Sequence, residues 1–165
     1  MEYSVIIPIE ELQLASMFKE NERISLYCRI CGGISPNPAA RARVHAVLDN
    51  KLAKIATRVT ETIELVSCRR MLIGAARNIP VHVLEPRLPL LELHRKILAS
   101  VSATRSVRYD RRKNGNRYVP RVTDMDDEFV PGSRFTATKM ALIECDANTV
   151  LCVGIYPFGG VHGHH

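Results

Sequence analysis

The chain has 165 residues, 46% of them apolar and 24% charged, the composition of an ordinary globular domain large enough to bury a core. Its formal net charge of +6 favours anionic partners, whereas an aromatic content of 5% without Trp gives little support for a broad base-stacking platform. No apolar run approaches the roughly 18 residues a membrane span needs, and acidic Glu2 with no basic n-region argues against a secretory leader, so a cytoplasmic protein is expected.

Tyr3-Ser4-Val5-Ile6-Ile7-Pro8 is rich in β-formers and ends on a proline, the mark of a strand terminus or edge. A short helix is expected at residues 10–18. Arg23-Ile24-Ser25-Leu26 opens a strand expected over residues 24–30, which Gly32-Gly33 and the following Ser35-Pro36-Asn37-Pro38 should end. Five cysteines is an odd number, best accommodated in a reducing compartment. Cys28-Arg29-Ile30-Cys31 resembles half of a zinc knuckle, but no second half follows at usable spacing. A structural role is therefore favoured, and neither a metal nor a cofactor is expected.

The clearest helix is predicted at residues 38–56. Asn37 suits its N-cap and Pro38 its first turn, with Val44, Val47, Leu48, Leu52 and Ile55 on one face. Residues 60–66 alternate as a strand that residues 69–73 either continue or pair with, and residues 81–84 form another. A second helix is predicted at residues 88–101, with Leu90, Leu91, His94, Ile97, Leu98 and Val101 at helical spacing. His94 on that stripe reads as a hydrogen-bonded packing residue; His82, in a strand, is ambiguous.

Residues 105–121 are rich in Arg and Lys, and Lys113-Asn114-Gly115-Asn116 carries a hairpin turn signal. The segment reads equally as a cup for a phosphate chain and as a solvated loop. Residues 124–128 are acidic and would repel a passing polyanion, which favours a small ligand or a local protein contact over a long nucleic-acid track. A final hairpin is expected from residues 135–145 and 149–156. The His-bearing end, residues 160–165, reads as a flexible tail on a single domain spanning residues 1–165.

Two tripeptides share one pattern: Arg23-Ile24-Ser25 and Arg121-Val122-Thr123 each place a guanidinium and a hydroxyl on one face of an extended chain. Arg offers a planar fork of donors and Ser or Thr a short adjustable one, a combination suited to phosphate. Tyr118-Val119-Pro120-Arg121-Val122-Thr123 is similar to the Tyr-x-Pro-His-Val-Thr stretch of the 2H phosphoesterase superfamily, in its 2'-5' RNA ligase-like and cyclic phosphodiesterase branch. Arg23-Ile24-Ser25 resembles the first His-x-Thr/Ser motif of that family. Pro131-Gly132-Ser133-Arg134-Phe135 with Met140-Ala141-Leu142-Ile143 resembles its closing strand, and Val81-His82-Val83-Leu84 with the following helix its inter-lobe unit.

The resemblance implies an α+β, bilobal fold, with two pseudo-repeated, antiparallel-rich sheet lobes around a central cleft and helices packed outside. It also implies a phosphate site at Arg23, Ser25, Arg121 and Thr123, with Tyr27, Tyr118 and Arg117 as further ligand contacts. Both family histidines are arginine here. Arg stays protonated to about pH 12 and cannot exchange protons near neutrality, so the expected function is a catalytically impaired protein that binds a nucleotide, a cyclic nucleotide or an RNA end. The alternative is a non-enzymatic structural or assembly component, of a phage particle for instance, that uses the fold for subunit contacts. A third reading, an active phosphodiesterase, would need His82 or His94 to reach the cleft.

Overall fold

β-Branched and aromatic residues fill the first strand, β1 (Glu2–Pro8), and residues on both of its faces are buried, Tyr3, Val5 and Ile7 on one and Ser4 and Ile6 on the other. Such a strand is stable only when covered on both sides. The computed structural model describes residues 1–9, 27–115, 118–123, 131–147 and 149–159. The helix expected at residues 10–18, Arg23 and Ser25 of the first motif, Arg117, the acidic segment and the tail all lie outside the described residues.

β2 (Tyr27–Pro36) runs through Gly32-Gly33, where an end of the strand is expected from the sequence. Gly33 takes a φ of +65°, open to glycine at little cost. Asn114 explains why pairing persists beside it. Its side-chain amide accepts from Gly32 N at 3.3 Å and donates to Gly32 O at 2.8 Å, as a neighbouring strand would, and Asp110 N donates to Gly33 O at 3.0 Å.

The Asn37 carboxamide then accepts from Ala39 N, capping a 3-10 turn (Pro38–Ala40) that leads into α1 (Arg41–Thr57). Val44, Leu48, Leu52 and Ala56, four residues apart, form its buried stripe. β3 (Ile63–Ile73) is one continuous strand paired antiparallel with β4 (Ile79–Glu85). α2 (Arg87–Ser102) buries Leu90, Leu93, His94, Ile97 and Val101. Here the sequence pattern is displaced at one position: Leu93 is buried, and Leu91 lies on the flank.

β5 (Val107–Tyr109) and β6 (Arg121–Thr123) do not form the expected hairpin. Both pair antiparallel with β2, at residues 34–36 and at Cys28, on the edge away from β1. The basic segment is therefore a loop that leaves that edge and rejoins it, anchored midway by Asn114 and Gly115. β7 (Arg134–Ala137), β8 (Lys139–Cys145) and β9 (Val150–Pro157) complete a sheet ordered β7-β3-β4-β6-β2-β1-β8-β9, with β5 beside β2.

β7 pairs with β3 and β8 with β1, yet only Thr138 separates β7 from β8. The sheet must curl for one residue to join strands so far apart in its order. The result is an α+β fold of two antiparallel halves, β7-β3-β4-β6 and β2-β1-β8-β9, joined where β6 meets β2. α1 packs on β8 and β9 and α2 on β2 and β5, over the main core. None of the described helices is long and apolar enough to cross a membrane.

Candidate anion-binding face

Alternation divides the strands between two faces. Tyr3, Val5, Ile7, Cys28, Ile30, Leu84 and Val122 join the core under the helices, whereas Ile6, Ala141, Ile143 and Cys152 form a smaller cluster on the other face, with Tyr27 against it. Directly paired residues share a face, so the register can be followed from strand to strand on the side away from α1 and α2. Arg69 stands opposite Val83, Val83 opposite Arg121, Arg29 opposite Ile6, and Ile6 opposite Ala141. The pairing of Cys28 with Val122 brings Arg29 beside Arg121.

Arg29 and Arg121 form the electrostatic centre of this face. Both are partly buried, and among the described residues no carboxylate pairs with either. Burial lowers the Arg121 guanidinium below its ordinary value, and the Arg29 charge pushes it the same way. The Nε of Arg29 is buried and has no hydrogen-bond partner among the described residues. Its aliphatic stem lies over Gly32, where a Cβ would meet Arg29 Cδ and come within 2.9 Å of Nε. Tyr27 sits alongside; burial raises its phenol, and Arg29 opposes that shift.

The remaining residues expected at the site are placed as follows. Thr123 occupies the strand position opposite Val81. Tyr118 is buried, its ring stacked on His94 at a centroid distance of 4.1 Å and its hydroxyl donating to the Arg29 carbonyl at 2.9 Å, so it supports the β2 backbone under Arg29. Arg29 itself was missed in the sequence, where it reads as the interior of a Cys-x-x-Cys. The usable signal is that it shares a face with Tyr27, on the side of the strand opposite Cys28.

His82 stands opposite Val122, hence on the helix side, with Nδ1 2.8 Å from Ser67 Oγ. His94 lies under the same side. Neither reaches the arginine face. Cys28 and Cys31 are buried in the main core, where burial pushes both thiols up to about 12 and keeps them protonated near neutrality. Among the described residues no three His, Cys, Asp or Glu side chains gather as metal ligands.

No protein-family model and no curated protein sequence matches the chain. Solved structures do. TT0787 of Thermus thermophilus is 13% identical over the whole of both chains, with a TM-score of 0.57. E. coli LigT complexed with NADP+ is 10% identical over 96% of this chain and 98% of its own, with a TM-score of 0.55. LigT complexed with 3'-AMP is 12% identical over 95% and 97%, with a TM-score of 0.54. The chain has the 2H-phosphoesterase fold. Beside Arg121-Val122-Thr123, β2 places Tyr27-Cys28-Arg29; Arg23-Ile24-Ser25 lies outside the described residues.

Proposed function

We propose that this protein binds a phosphate-containing ligand on the face carrying Arg29 and Arg121, and that it does not cleave it efficiently. One observation carries the reading: two neighbouring, partly buried guanidinium groups with no carboxylate among the described residues to neutralise them. Like charges held together in a poorly hydrated place are unfavourable alone and become favourable when an anion sits between them. Arg23, Ser25 and Thr123 belong to the same proposal through the motif pattern, and Tyr27 lies where a ligand's apolar part would pass. A solved example of the fold, E. coli LigT, is complexed with 3'-AMP, which suits the proposed ligand class.

The impaired chemistry follows from the groups available. General acid–base catalysis on a phosphodiester uses a side chain that exchanges protons near neutrality, and arginine does not. His82 and His94 sit on the helix side. The test is calorimetric titration of the protein with inorganic phosphate and with mono-, cyclic and oligonucleotides, with product analysis of the same samples. Saturable binding without product is expected. Turnover would overturn the impaired chemistry, and no binding to any probe would favour the assembly role instead.

Gly32 supplies an independent probe. Its backbone lies outside the left-handed region, so Gly32→Ala should fold normally, but the new methyl occupies the space of the Arg29 stem. The affinity for nucleotide monophosphate should fall about tenfold, one charge-assisted contact being worth about 1.5–3 kcal/mol. The melting temperature should stay nearly constant. Unchanged affinity by titration would remove Arg29 from the site.

A further inference from the structure

We propose that Arg69 forms a second anion subsite on this face, so that the preferred ligand carries two phosphoryl groups separated by a sugar-sized unit. The inference rests on the phosphate-binding reading of Arg29 and Arg121 and adds to it the class of ligand.

Its basis is a β-bulge. Along β3, Ser67 stands opposite Leu84, and the next pair is Arg69 with Val83: β3 advances two residues while β4 advances one. With regular pairing Cys68 would stand opposite Val83, and Arg69 would point to the helix side. The extra residue instead turns Arg69 onto the face that carries Arg121 and Arg29. Bulges re-aim side chains in this way, often beside functional sites.

The spacing sets the ligand. Neighbouring strands lie about 4.8 Å apart, so the anchor points of Arg29 and Arg121 are about 5 Å apart while Arg69 stands about 10 Å from Arg121. The position between them is Val83, 2% exposed and apolar. Arg69 is exposed, and among the described residues it pairs with no carboxylate. The row therefore reads cation pair, apolar step, cation. A lone phosphate satisfies only the pair. A nucleoside bisphosphate places one phosphate on the pair, spans the buried Val83 position with its sugar and brings its second phosphate to Arg69.

The experiment is calorimetric titration of the full chain and of Arg69→Gln with adenosine 5'-monophosphate and adenosine 3',5'-bisphosphate at two salt concentrations, with Arg69→Lys as a charge-preserving control. The intact protein should bind the bisphosphate about tenfold more tightly than the monophosphate. Arg69→Gln should remove that advantage and flatten its salt dependence by about one ion, leaving monophosphate affinity unchanged, and Arg69→Lys should keep most of it. If both ligands bind and Arg69→Gln leaves their ratio unchanged, the second subsite is wrong and the phosphate reading stands. If neither ligand binds the intact protein, the phosphate reading fails and takes the subsite with it.

Discussion

Replacing Arg29 and Arg121 together by glutamine should lower the affinity for a nucleotide monophosphate by about 10²- to 10⁴-fold, because each charge-assisted hydrogen bond is worth about 1.5–3 kcal/mol and each 1.4 kcal/mol is tenfold. The melting temperature should hold or rise. Most partly buried charges stabilise a fold through a partner, so removing one leaves the other stranded. Arg29 and Arg121 have no carboxylate partner among the described residues, and they repel one another. Titration and thermal unfolding of the same variant separate the cases. Retained affinity with a fall of several degrees would make the pair a structural element and end the binding proposal.

The second large effect concerns the support beneath the site. The Ile30 carbonyl can only accept, so His94 Nδ1 carries the proton across 2.6 Å; Gly115 N donates to Nε2 at 2.9 Å. Both ring nitrogens are thus used by the neutral imidazole, and a second proton would set Nε2–H against the Gly115 N–H. Burial lowers the His94 value, the Ile30 hydrogen bond opposes the shift, and the Arg95 charge on the same helix adds to it; the stacked Tyr118 ring is the facing group from the loop. His94→Leu removes both hydrogen bonds, one of them to the buried Ile30 carbonyl, and should cost about 1–3 kcal/mol.

The pH dependence has a definite sign. A histidine whose folded value is depressed contributes stability that is complete above its ordinary value of 6.5 and is lost as pH falls through the folded value. Urea unfolding of the wild type should therefore show stability declining below about pH 6.5, with that component missing in His94→Leu. Equal slopes in the two proteins would show that His94 does not titrate against folding.

Local chemistry made much of this fold readable. The Asn37 cap and the two helices depend on neighbours three or four residues away and appear where the sequence puts them, with Ala56 joining the buried stripe of α1 and Leu93 taking the place of Leu91 in α2. The segment from Tyr118 to Thr123 was readable as a motif, and β6 lies within it. What failed were features decided by distant partners. The turn signal at Asn114-Gly115 is real, since Gly115 has a φ of +69°. The Asn114 side-chain amide, however, docks on Gly32, so the chain returns to β2 and does not fold back on itself. Register is equally hidden: nothing near Arg69 announces the bulge, and nothing near Arg29 announces that Val122 will pair with Cys28.

The position of β1 has a consequence for how the chain reaches its folded state. Its two neighbours are β2 and β8, and Ile6 pairs with Ala141. While the protein is being made, β1 can pair on one side soon after it emerges, but its other edge stays bare until β8 (Lys139–Cys145) has left the ribosome. Long-range pairing of this sort slows folding. An unpaired apolar strand is also a template for self-association, so expression at low temperature, or with a chaperone that holds that edge, should raise the soluble yield without changing the final stability.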